Sequence, residues 1–88
     1  MHGETDDRTD PSVALAKAAR ALTAAPDDEL APFVSSWEDG ELDAAFDALR
    51  AAGERWADTP TFWYLLVEAA QALDRPADGE AILDAHGV

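Results

Sequence analysis

The residues of this sequence with the most chemical potential are carboxylates. Residues 21–49 contain eight aspartates and glutamates and no lysine or arginine. Five of them fall where one predicted helix ends and the next begins: Glu38, Asp39, Glu41, Asp43 and Asp47. Residues four apart lie on one helix face, so Asp43 and Asp47 are neighbours. We predict that these five residues, called the acidic ridge below, crowd one end of a helix pair and bind a basic protein.

Part of this acidic charge has a purely structural explanation. Asp27, Asp28, Asp39 and Glu41 flank predicted helix ends, where carboxylates cap backbone N–H groups and complement the helix dipole. This explanation covers roughly half of the eight carboxylates. The other carboxylates have no basic residue beside them within residues 21–49 and remain a candidate binding surface.

The charge of the whole chain restricts its partners. Six lysines and arginines against 19 aspartates and glutamates give a net charge of −13. A field of this sign repels phosphate backbones and anionic lipid surfaces, so we expect neither direct nucleic-acid binding nor membrane binding. The same field accelerates encounter with a basic protein, and it also keeps a small, alanine-rich protein in solution.

The sequence shows no apparatus for catalysis, and we expect no metal and no cofactor. The absence of cysteine excludes disulfides, thiolate ligands and cysteine nucleophiles. His2 precedes the predicted helices and His86 ends the last one, so neither has the neighbours that a general base or a zinc site needs. An EF-hand loop counted from Asp74 fails because Pro76 and Ala85 replace two of its ligands.

The elements that position the carboxylates are helices. Large apolar residues recur with the 3.6-residue period of amphipathic helices, and alternating strand patterns are absent. We predict an all-α fold of about five short helices in a single domain at residues 10–88. Residues 1–9 are polar and acidic and are predicted to form a flexible tail.

Proline, glycine and acidic residues mark the predicted helix ends. The helices run from about Pro11 to Ala25, Asp27 to Glu38, Leu42 to Gly53, Pro60 to Leu73 and Ala77 to His86. Asp10-Pro11 and Thr59-Pro60 each place an N-cap residue before a proline. Gly53 is predicted to cap the third helix, and Trp56, in the connection after it, to fold onto the core. The fourth helix is apolar over much of its circumference and is predicted to be the central one.

Aromatic residues offer a second candidate surface. Trp37 and Phe62 occupy core-facing positions of their helices. Because Phe62, Trp63 and Tyr64 are consecutive, they spread over about 200° of helix and cannot all face one core. We predict that Trp63 or Tyr64 is partly exposed as an interface anchor, unless the first helix covers both.

The chain also contains an internal repeat. An acidic turn, a helix, a Gly or Pro turn and a second alanine-rich helix occur once between Asp27 and Leu49 and again between Asp58 and Leu83. The offset brackets the period of about 34 residues of the tetratricopeptide repeat. The segment Trp37–Phe46 resembles the end of helix A and the start of helix B in that family.

The resemblance covers roughly Ser12 to Leu83 and implies the helix order B, A, B, A, B, in which the first helix packs on the first full pair. It implies a scaffold that binds peptides or helices in a concave groove. A compact helical bundle has the same element order and is the alternative. Some repeats of this family bind the C-terminal carboxylate of a partner through lysine, arginine and asparagine side chains. This chain has no asparagine and one lysine, so we do not expect that mode of binding. An acidic groove favours a cationic segment instead.

We therefore expect a non-catalytic protein-interaction domain, most concretely an immunity protein or antitoxin that inhibits a basic partner. A DNA mimic or phage-type inhibitor of a nucleic-acid-binding protein, and a structural adaptor in a larger assembly, are the alternatives. The preference for arginine over lysine, with abundant alanine and aspartate, is typical of GC-rich bacterial or phage genes. A polar start and the lack of an apolar run of about 18 residues predict the cytoplasm.

Overall fold

A computed structural model describes residues 10–86 of the chain. They form five α-helices and contain no strand, which confirms the predicted all-α class. The helices are α1 (Pro11–Ala21), α2 (Asp27–Glu38), α3 (Leu42–Trp56), α4 (Pro60–Ala72) and α5 (Pro76–His86). None of these five helices is long and apolar enough to cross a membrane. The predicted tail at residues 1–9 lies outside the described residues, as do residues 87–88.

Helix α1 begins as predicted and ends earlier. The Asp10 side chain accepts a hydrogen bond of 2.8 Å from the backbone N–H of Ser12, and Pro11 follows the cap. The helix stops at Ala21 rather than Ala25 because the chain turns at Leu22, whose side chain is buried. Pro26 also disfavours the helical conformation at the residue before it.

Helix α3 continues past the predicted cap, so the assignment of Gly53 was wrong. Gly53 is buried inside α3, and the helix ends at Trp56. A Cβ atom on Gly53 would lie 2.6 Å from Cζ of Phe62, which is shorter than any van der Waals contact. The glycine therefore serves the close approach of the Phe62 ring. Trp56 is half-buried against the core, as predicted.

The five helices form a compact bundle with α4 at its centre. Helices α2 and α3 pack as one hairpin and α4 and α5 as another, while α1 packs mainly against α4 and less closely against α3. The family resemblance implied that α1 packs on the α2–α3 pair, but its principal neighbour is α4. The central position predicted for the fourth helix is confirmed, since α4 packs against α1, α3 and α5.

One contiguous hydrophobic core joins the five helices. Its largest fully buried side chains are Leu15, Leu22, Phe46, Leu49, Phe62, Leu66 and Ile82. Phe62 is buried as predicted, whereas Trp37 is half-buried and donates a hydrogen bond of 2.9 Å from Nε1 to the backbone oxygen of Ser12. This bond attaches the end of α2 to the start of α1.

Two turns of the same type end α2 and α4. Gly40 has φ of +81° and Asp74 has φ of +62°, both in the left-handed region. In each turn the next amide donates back to a carbonyl of the last helical turn, Glu41 to Ser36 at 2.9 Å and Arg75 to Ala70 at 2.8 Å. These are Schellman motifs, which fix the direction of the following chain. Asp74 lies 34 positions after Gly40 in the sequence.

Candidate interaction surface

The five residues of the acidic ridge are all exposed, as a binding surface requires. Glu38 is the last residue of α2, and Asp39 and Glu41 lie in the turn that follows. Asp43 and Asp47 lie in the first two turns of α3. The Schellman motif at Gly40 holds this turn, so the first three carboxylates sit on a fixed backbone.

Helix capping does not account for the carboxylates in the turn. Glu38 and Asp39 lie at the C-terminal end of α2, where the helix dipole disfavours negative charge. Glu41 precedes α3 at the N-cap position, but its side chain makes no capping hydrogen bond. Within residues 10–86, none of these three side chains forms a salt bridge. The side-chain caps expected at Asp39 and Glu41 are therefore not observed, whereas the charge of Glu41 does lie at the N-terminal end of α3, which the helix dipole favours.

Arg75 pairs with the outer part of the ridge, a contact that the sequence does not reveal. Arg75, in the turn between α4 and α5, donates from Nη2 to Oδ1 of Asp47 at 3.0 Å and approaches Oδ1 of Asp43 with Nη1 at 3.4 Å. Its Nε donates to Oδ2 of Asp78 at 2.8 Å. The expectation that the whole ridge lacks a basic counterion thus fails for Asp43 and Asp47. No local pattern signals this pairing, because about 30 residues separate Arg75 from both carboxylates.

The surroundings of Arg75 favour its charged form. The guanidinium carbon lies 4.7 Å from the centroid of the Phe46 ring, a cation–π arrangement. Partial burial acts to lower the pKa of Arg75, but the hydrogen bonds and charges of Asp78 and Asp47 outweigh it and raise the pKa above its ordinary value. Arg75 is therefore a permanent cation that ties α3 to the start of α5.

The two aromatic candidates have different environments. Tyr64 is 53% exposed on the outer face of α4, so the prediction of a partly exposed aromatic residue is confirmed for it. Trp63 is buried, with 6% of its surface exposed. Its ring stacks on His86 with centroids 3.5 Å apart and meets Phe62 edge-on at 4.8 Å. Trp63 is accordingly a packing residue, and α5 provides its cover through His86.

His86 has a neighbour that no pattern in the sequence predicts. Besides stacking on Trp63, its Nε2 atom is buried and has no hydrogen-bond partner within residues 10–86. A shallow cleft of about 270 Å³ lies beside the pair, lined by Ala57, Asp58, Thr59, Pro60, Trp63 and His86. Because a tryptophan and a histidine 23 positions apart follow no helical spacing, only the tertiary structure reveals this contact.

The described residues show how charge is distributed between paired and unpaired positions. Arg50, Arg55 and Arg75 each pair with carboxylates, whereas Glu38, Asp39 and Glu41 form no salt bridge with any basic side chain of residues 10–86. No group of three or more His, Asp or Glu side chains within residues 10–86 is arranged to hold a metal ion.

No family model, curated protein or solved structure matches this chain.

Proposed function

We propose that this protein acts without catalysis, by binding a cationic segment of another protein at the turn between α2 and α3. The observation that supports this most is the placement of Glu38, Asp39 and Glu41, three exposed carboxylates without a salt bridge in residues 10–86, on a turn fixed by Gly40. Glu38 and Asp39 oppose the dipole of α2. Residues that lower stability and pack against nothing are typical of functional surfaces.

Asp43 and Asp47 form the edge of the proposed surface rather than its centre. Arg75 already occupies both carboxylates, so a cation from a partner would have to compete with it. Both side chains nevertheless remain mostly exposed and extend the negative potential of the turn along α3. The proposed contact is therefore centred on residues 38–41 and flanked by α3.

The concrete form that we propose is an inhibitor of a cationic protein, such as an immunity protein or an antitoxin. A net charge of −13 on 88 residues accelerates encounter with an oppositely charged partner. A DNA mimic would compete with duplex DNA for the same partner. A structural adaptor would depend more on apolar contacts, for which Tyr64 is the exposed aromatic candidate.

We also propose that the hairpins α2–α3 and α4–α5 are related to tetratricopeptide repeats. The 34-residue offset between Gly40 and Asp74 supports this relation, since it equals the period of that family. The packing of α1 on α4 makes the bundle compact, however. The proposed contact accordingly uses the end of a hairpin and not a long concave groove.

A titration with a short oligolysine peptide tests the proposed surface. The chain is labelled with ¹⁵N, and chemical-shift changes are followed at about 20 mM and about 200 mM salt, where screening differs several-fold. The test variant carries Glu38→Gln, Asp39→Asn and Glu41→Gln. The matched control carries Asp58→Asn, Glu80→Gln and Asp84→Asn, which removes the same charge from exposed positions elsewhere.

We expect the largest shift changes at residues 38–41 and a weakening of about tenfold in the turn variant at low salt, because the local potential is lost. The control is expected to weaken binding by only about twofold through net charge. Equal weakening by both variants, or shifts scattered over all helices, would contradict the proposed surface. A pull-down from the native cell with the same variants, with and without competing duplex DNA, then separates an inhibitor from a DNA mimic.

A further inference from the structure

Helix α5 packs closely against one of the other described helices, α4. Ile82 is its only large side chain that is fully buried, since Leu83 is half-buried and the alanines are exposed. Gly79 lies inside the helix and lowers its intrinsic stability relative to alanine.

The connection between α5 and α3 is ionic. Asp78 of α5 pairs with Arg75 at 2.8 Å and with Arg50 of α3 at 3.6 Å. A third of the Asp78 side chain is exposed. Partly exposed ion pairs of this kind weaken as salt is added. The ion pairs of Asp78 therefore orient α5 relative to α3, and they stabilise its attachment less than buried apolar contacts would.

The C-terminal end of α5 carries a local penalty. The Nε2 atom of His86 is buried without a hydrogen-bond partner in residues 10–86. A buried unsatisfied polar atom loses its hydration, and detachment of the helix would restore it.

Helix α2 provides an internal comparison because it too packs closely against one helix. It buries Phe33, which stacks on Trp37, and Trp37 is bonded to α1. Glu29 of α2 also accepts a hydrogen bond of 3.1 Å from Nε1 of Trp56 in α3. The corresponding anchors of α5 are the buried Ile82, the half-buried Leu83, the stack of His86 on Trp63 and the ion pairs of Asp78.

We propose that α5 is a releasable cover: it detaches from α4 while α1 to α4 remain folded. Local opening of this kind is expected where few apolar side chains are buried and the remaining contacts include partly exposed ion pairs. Detachment uncovers the face of α4 formed by Trp63, Val67 and Ala70, which are now 6%, 8% and 0% exposed. This conformational change is independent of the partner proposed above.

Native-state hydrogen exchange on the full chain, followed by NMR at each amide, tests the proposal. The amides of Ile82 and Leu83 are expected to exchange at least about tenfold faster than those of Leu66 and Val67, and faster still in high salt. If α5 and α4 amides exchange at one common rate in every salt concentration, α5 unfolds only with the whole protein and the proposal is overturned.

Two variants test the proposal by the change in exchange rate that they cause, so that the conclusion does not depend on the exchange rate of any one amide in the native chain. Phe33→Leu in α2 is expected to accelerate exchange of the α4 amides and to leave the α5 amides unchanged, because only the α4 amides require global unfolding. Gly79→Ala is expected to slow exchange of Ile82 about two- to fivefold through helix propensity, since the new Cβ would meet Val67 Cγ1 at an ordinary 3.4 Å. Equal acceleration of both helices by Phe33→Leu would also overturn the proposal.

Discussion

Arg75 and Asp47 are joined by a hydrogen bond of 3.0 Å, although they lie 28 residues apart in the sequence. The bond connects the turn before α5 to the outer face of α3, and Asp43 and Asp78 complete the acidic surroundings of the guanidinium. Arg75 therefore has a structural role beside the proposed binding surface, and it limits which carboxylates are open to a partner.

Replacing Arg75 with glutamine is expected to lower the free energy of unfolding by about 1–2 kcal/mol. The estimate combines the cation–π contact with Phe46 and the ion pairs, discounted because Asp43 and Asp47 are largely exposed. Urea unfolding at low and high salt measures the loss, which should shrink with salt. Arg55→Gln is the control, since Arg55 is 70% exposed and pairs with Glu29 only at 3.8 Å. Equal losses in both variants would show that Arg75 has no special role.

The contribution of Arg75 is expected to persist at alkaline pH. Its pKa is raised in the folded protein, and a basic group with a raised pKa stabilises the fold fully below its unfolded pKa. The contribution is lost only as pH rises through the folded pKa. The stability difference between Arg75→Gln and the native chain should therefore remain constant from pH about 7 to about 10. A difference that disappears within this interval would contradict the assignment.

Gly53→Ala is expected to destabilise the protein by about 1–2 kcal/mol. Alanine improves helix propensity by about 1 kcal/mol, but its Cβ would overlap the Phe62 ring, with Cζ at 2.6 Å, and overpacking of a core costs about 1–3 kcal/mol or more. Thermal or urea unfolding measures the change. The double variant Gly53→Ala, Phe62→Leu should recover part of the loss, whereas additive effects would show that the ring is not the obstacle.

The sequence predicted the helices more accurately than their packing. Local signals such as Asp10-Pro11 mark helix ends, and the apolar period marks the buried faces, so all five helices were found. Gly53 was misassigned because a glycine near a helix end has the same local signature whether it caps the helix or admits a neighbouring ring. The Phe62 ring that decides between them lies on another helix.

The sequence predicted which carboxylates form the candidate site, but it did not predict that Arg75 pairs with two of them. The exposed carboxylates of the acidic ridge follow from helix periodicity. Arg75 reaches Asp43 and Asp47 only because α3 and the turn before α5 are adjacent in the fold. Likewise, Trp63 is buried because His86 covers it. Contacts of this kind depend on tertiary structure, which local patterns do not encode.

Asp74→Gly is expected to stabilise the protein by about 1 kcal/mol. Asp74 has φ of +62° at the turn that ends α4, and glycine adopts this conformation without the steric penalty of a side chain. Its greater flexibility in the unfolded chain offsets part of the gain. Asp74→Asn removes the same charge and keeps a residue that tolerates this region, so its stability should change by less than about 0.5 kcal/mol. Equal stabilisation by both variants would assign the effect to charge instead of backbone conformation.

Trp63 and Tyr64 are expected to respond in opposite ways to truncation, although they are adjacent in sequence. Trp63→Ala should lower stability by about 3–4 kcal/mol because it removes a buried ring and exposes the His86 side of α5. Tyr64→Ala should change stability by less than about 0.5 kcal/mol, since Tyr64 is 53% exposed. Urea unfolding distinguishes the two. If Tyr64→Ala lowered the free energy of unfolding by more than about 1 kcal/mol, the Tyr64 ring would contribute to the packing of the fold. A neutral effect leaves Tyr64 as a probe, because any loss of partner binding in that variant then reports a direct apolar contact and favours the adaptor over the charge-driven inhibitor.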